Sequence, residues 1–142
     1  MRNDRAARAY VADAEIILGE AEASQRAGHY HRVVRKSQEA AELAIKGLLR
    51  LWGLEYPKSH LLGRVIKREL VQRKVLDRQV ADQMAYDADS LGLDREPSFC
   101  GSPEGIPASQ LFDAEDGEDA LEKARRVLET IRVAMAQDWS EE

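Results

Sequence analysis

Apolar residues recur along most of this chain at three- and four-residue intervals, and no segment alternates them in the two-residue rhythm of a strand. That periodicity restricts the chain to helices that each bury one face. Ala7, Tyr10, Ala14, Ile17, Leu18 and Ala21 mark a first helix over about 4–26, closed by Gly28. A second, over about 29–52, ends at Gly53, and Pro57 then forces Tyr56 out of helical geometry in the loop EYPKSH. Ser59 is a suitable N-cap for a third helix carrying Leu62, Val65, Ile66 and Leu70. A fourth, about 75–91, carries Leu76, Val80, Met84, Ala88 and Leu91 and stops near Gly92.

From Asp94 to Phe112 the stretch DREPSFCGSPEGIPASQLF concentrates proline and glycine and reads as one long irregular loop, a usual place for specificity. Asp113 is placed to cap a last helix whose stripe is Leu121, Ala124, Leu128, Ile131 and Met135, with Glu115 and Asp116 in the first turn where the macrodipole favours acids. The expected architecture is all-α: an antiparallel up-and-down bundle of four long helices plus one short helix, with residues 1–142 forming a single domain.

Composition narrows the function classes. Cys100 is the only cysteine, which excludes an internal disulfide, and three scattered histidines leave no Cys/His set spaced for zinc. No metal or cofactor is expected. Acidic residues interrupt the N-terminus before any signal-like apolar run, and nothing approaches a membrane span of about 20 apolar residues. A reduced, cytoplasmic setting is the expectation. The net charge of -5 hides an asymmetry: residues 1–80 carry +6 and residues 81–142 carry -11, which implies a polarised surface.

The second helix holds the most informative pattern. On a helical wheel Arg32, Arg35, Glu39, Glu42, Lys46 and Arg50 fall within an arc of roughly 80°, with Lys36 just outside. Val34, Ala41, Ala44, Ile45, Leu48 and Trp52 lie opposite, and Ala40 and Gly47 on the flank permit another helix to approach closely. This helix is therefore mostly buried. Glu42 and Lys46 stand four apart with the acid first, the favoured order for an ion pair. Two readings of the stripe remain open: a solvated or dimer-facing salt-bridge ladder, or one wall of a binding groove.

QEAAELAIKGLLRLWGLEYPKSHLL resembles the signature region of the HEPN family (higher eukaryotes and prokaryotes nucleotide-binding), in which a Glu and a Lys four apart precede a short loop and a histidine. Here these are Glu42, Lys46 and His60. The resemblance runs on through DREPSFCGSPEGIPASQLFDAEDGEDALEKA and covers about residues 5–135; it places Cys100 where a related subgroup has an aromatic. It implies a helical bundle of four to five helices, usually a homodimer, often encoded with a small nucleotidyltransferase as a toxin–antitoxin pair. Some members are metal-independent ribonucleases whose late Arg is followed, after four to six residues, by a His. This chain departs from that pattern: no histidine follows His60, and Arg95 is followed by EPSFCGSP. Arg26 and His31 match the spacing only formally, in the first interhelical turn.

Three functions follow. The preferred one is a dimeric module that binds a nucleotidyltransferase partner or a nucleotide through Glu42, Lys46, His60, Arg95 and Ser98 without cleaving RNA. A second is a ribonuclease using Arg95 with a non-histidine partner such as Ser98, lacking the usual general base. A third is nucleic-acid binding through the basic third helix and its flank, where Arg64, Lys67, Arg68, Arg73, Lys74 and Arg78 outnumber Glu69 and Asp77 without interleaved aromatics.

Overall fold

The computed structural model describes residues 4–57 and 62–140. They form an all-α fold: α1 (Asp4–Ala27), α2 (Tyr30–Leu51), α3 (Leu62–Val65) running into a π turn (Ile66–Leu70), α4 (Arg78–Leu93), α5 (Arg95–Cys100), a 3-10 turn (Ala108–Gln110) and α6 (Ala114–Ser140). The Ser59 cap and His60 lie outside the described residues. Among the described residues no helix is long and apolar enough to cross a membrane.

α2 is the hub. It packs most extensively on α1, then on α6, and also touches α4 and α5. Val33, Val34, Ala40, Ala41, Ala44, Ile45, Leu48, Leu49 and Leu51 are all buried, each large side chain contributing about 1.5–3 kcal/mol. The apolar arc of α2 is thus buried within the chain. α1 and α2 form a hairpin through Gly28, whose φ of 80° is the left-handed value glycine adopts freely. Along that hairpin Gly47 meets α1 directly: a Cβ there would stand 3.0 Å from Tyr10 Cβ and 3.1 Å from the Ala7 carbonyl oxygen.

The stripe of α6 is buried as its spacing requires, and its start is fixed by a reciprocal box. The Asp116 N–H donates to Asp113 Oδ1 at 2.9 Å, and the Asp113 N–H donates to Asp116 Oδ2 at 2.9 Å. α4 begins later than its periodicity implies because Asp77 takes the cap, accepting from the Val80 N–H at 2.9 Å. One expectation fails. The 94–112 segment is not one irregular loop, since α5 occupies its start; Pro97 is tolerated there because the first N–H groups of a helix have no intrahelical partner. Within the acidic second half Asp87 is fully buried, gripped by Arg126 Nε at 3.0 Å and Nη2 at 2.9 Å and by Gln83 at 3.2 Å. That grip raises the pKa of Arg126 further.

Two stability predictions result. Gly47→Val overpacks the α1–α2 contact and costs about 1–3 kcal/mol in urea denaturation; an unchanged midpoint would mean the hairpin packs elsewhere. Arg126→Ala strands the buried Asp87 carboxylate and costs about 1.5–3 kcal/mol, with most of the loss recovered when Asp87→Ala is added; purely additive losses would deny the coupling.

Candidate functional site

The charged stripe of α2 faces α5 across a groove of about 620 Å³ lined by Arg35, Lys36, Gln38, Glu39, Glu42, Arg95, Glu96, Phe99 and Cys100. Glu42 is its best-connected group. Its Oε1 accepts from the Tyr56 hydroxyl at 2.7 Å, its Oε2 accepts from Gln38 Nε2 at 2.8 Å, and the Arg95 guanidinium stands 3.7 Å from Oε1. Burial, followed by the hydrogen bond to Glu42, drives the Tyr56 phenol well above its ordinary pKa, so it stays a neutral donor.

The expected Glu42–Lys46 ion pair does not form. Glu42 spends its oxygens on Tyr56, Gln38 and Arg95, while the Lys46 ammonium lies 5.3 Å from the Tyr10 ring centroid and 5.6 Å from that of Tyr56. Tyr56 therefore couples the two: its hydroxyl serves the acid and its ring face the base. Lys46 itself does not line the groove. Apart from Gln38 on α2 itself, the partners come from α1, α5 and the Leu54–Pro57 segment, which spacing cannot show.

Opposite the stripe, Phe99 is 68% exposed, and the Arg35 guanidinium sits 5.2 Å from its ring centroid. α5 presents Arg95, Glu96, Phe99 and Cys100 to the groove and turns Ser98 inward, where its hydroxyl donates to the Arg95 carbonyl at 3.1 Å and only 1% of the residue is exposed. Gly101 ends α5 at φ 82°, where a Cβ would collide with the Ile106 carbonyl oxygen, so the loop folds back on α5. Tyr56, Phe99 and Gln38 were not singled out in the sequence as site residues. The available signals were Pro57, which fixes the segment holding Tyr56, and an aromatic set between Pro97 and Gly101.

Arg64, Lys67 and Arg68 come together in a separate groove of about 460 Å³, with Gly63, Val71, Arg78, Asp82 and Asp89. Arg73 and Lys74 lie in or beside the turn that follows and do not line it; Arg73 pairs with Glu69 at 3.5 Å. Arg26 and His31 stay at the α1–α2 turn, where burial, then Arg32, Arg35 and His29, lower the His31 pKa. Among the described residues no group of three His, Cys, Asp or Glu side chains could hold a metal ion.

The HEPN domain family matches residues 7–134, nearly the entire chain. This chain belongs to the HEPN family. No curated protein and no solved structure matches it. Membership points to a function concerned with nucleotides or RNA. In this HEPN chain the helix that carries the Glu and Lys of the signature region is also the wall of the α2–α5 groove.

Asp94, between α4 and α5, gives a pH test of this corner. Burial raises its pKa, Lys123 opposes, and Asp116 and Asp119 add to the rise. A carboxyl raised in the folded state favours folding at acid pH and loses that contribution as pH rises through its folded pKa. Its side chain makes no cap hydrogen bond. Asp94→Asn should therefore raise the melting temperature at pH 7, with the gain vanishing as pH falls toward the ordinary Asp value of about 3.9. A gain that grows on acidification would reverse the sign.

Proposed function

We propose that this HEPN chain is a nucleotide-binding module that acts as a homodimer with a small nucleotidyltransferase partner, as one half of a toxin–antitoxin pair, and that it does not cleave RNA. The observation that carries the nucleotide reading is the α2–α5 groove, where an exposed aromatic already stacked by a guanidinium adjoins a second guanidinium and several carboxylates. A base stacks on Phe99, the phosphates lie against Arg35 and Arg95, and Glu39 and Glu96 accept from ribose hydroxyls or exocyclic amines. A bare phosphate leaves those carboxylates without donors, so the mixed lining favours a whole nucleotide.

Glu42 holds Arg95 and Tyr56 in place, which makes it a positioning group for the groove rather than a contact of the ligand. Ribonuclease chemistry finds less support. The chain has no histidine after His60, and the Ser98 hydroxyl is committed to the Arg95 carbonyl. A reading with Arg95 alone leaves the attacking 2′-hydroxyl without a general base.

Isothermal titration of the protein with ATP and AMP tests this. Base–aromatic stacking contributes about 1–3 kcal/mol, so Phe99→Ala should weaken binding about 5-fold to 150-fold, and Arg35→Gln should weaken ATP more than AMP. Equal affinity in the wild type and both variants would remove the nucleotide from this groove.

A further inference from the structure

The stretch after α3 departs from α-helical geometry. Ile66–Leu70 is a π turn, a feature often found at functional positions. Ile66 and Leu70 are buried while Lys67 and Arg68 project outward, joining Arg64 from the preceding turn. Close packing holds this segment against α4: the Gly63 N–H donates to Asp89 Oδ1 at 3.0 Å, and a Cβ on Gly63 would collide with that carboxylate. The first turn of α4 supplies Arg78, next to the Asp77 carboxylate that caps this helix end.

Charge in this groove is poorly compensated. Among the described residues Arg64, Lys67 and Arg78 have no carboxylate within ion-pair distance, and Arg68 shares Glu69 with Arg73 at 3.4 and 3.5 Å. Among the described residues the lining sets the four cations Arg64, Lys67, Arg68 and Arg78 against two carboxylates, Asp82 and Asp89, the latter also accepting from the Gly63 N–H, so positive charge is in excess. A cluster of exposed cations in a chain of net charge -5 is a local departure that a polyanion would relieve.

We infer that the α3–α4 groove binds the phosphodiester backbone of a nucleic acid, at a site separate from and independent of the proposed nucleotide groove. Among the described residues Val71 is the one large apolar side chain in the lining, and no aromatic is present. The cores of protein interfaces are enriched in apolar and aromatic anchors, and base stacking needs an aromatic platform. What remains is sequence-independent phosphate contact by Arg64, Lys67, Arg68 and Arg78.

Fluorescence polarisation with a labelled RNA hairpin, the matching DNA hairpin and labelled polyglutamate tests this across a salt series. Contact with about four phosphates predicts a slope of log affinity against log salt of about -3 on either hairpin. Arg64→Gln/Lys67→Gln should lower affinity at least tenfold and flatten the slope by about 1 to 2. Asp82→Asn should tighten binding several-fold, an effect that loss of folding cannot mimic. The control Arg125→Gln/Arg132→Gln, with the same charge change at residues paired to Glu22 and Glu15, should match the wild type. Hairpin affinity that is unchanged in Arg64→Gln/Lys67→Gln, or reduced equally in the control, overturns the inference. Binding of polyglutamate alone also overturns it. Phe99→Ala should leave hairpin binding intact, so failure here and failure of the nucleotide groove are separable.

Discussion

Burial of α2 against α1, α6 and α4 leaves that helix one narrow outlet for its charged side chains. A helix surrounded in this way must gather its Arg, Glu and Lys residues on a single stripe, because a charge elsewhere would enter the core unpaired. Gly47 tightens the constraint by letting α1 approach at backbone distance. The stripe faces α5, and α5 closes it into a groove. The wall of the site is thus a by-product of how the core is built, and its position cannot drift without disturbing the hairpin.

Within that groove Glu42 ties three separate pieces of chain together. It accepts from Tyr56 in the segment after α2, accepts from Gln38 one turn back, and attracts Arg95 on α5. Tyr56 in turn offers its ring to Lys46. The two residues of the signature region are linked through this phenol rather than to each other, and the arrangement leaves the Arg35–Phe99 pair open at the surface for a planar ligand. The basic groove at the π turn is built from other elements, so the described residues present a mixed-charge groove with an aromatic wall and a second, cationic groove without one.

Much of the fold was legible because long helices advertise themselves by period. The stripes of α1, α2 and α6, the close approach at Gly47 and the Asp113 cap all follow from local spacing. Short or irregular elements do not repeat enough to register: α5 has six residues and contains Pro97, and although Leu62, Ile66 and Leu70 of the third helix are buried as their spacing implies, its π turn was not legible. Burial of Asp87 was hidden for a different reason, since Arg126 lies 39 positions away and only tertiary packing brings it to the carboxylate. The same limit applies to the site. Glu42, Lys46 and Arg95 could be named from the sequence, whereas Tyr56 and Phe99 acquire their roles only when the Leu54–Pro57 segment and α5 fold back on α2.

The most direct measurement is a titration of isotopically labelled protein with ATP, followed by backbone amide chemical shifts. Binding in the α2–α5 groove predicts shifts concentrated at residues 35–42 and 95–101, with little change along residues 63–71. No shifts at saturating nucleotide, or shifts confined to regions away from α2 and α5, would contradict the assignment of this groove as the nucleotide site.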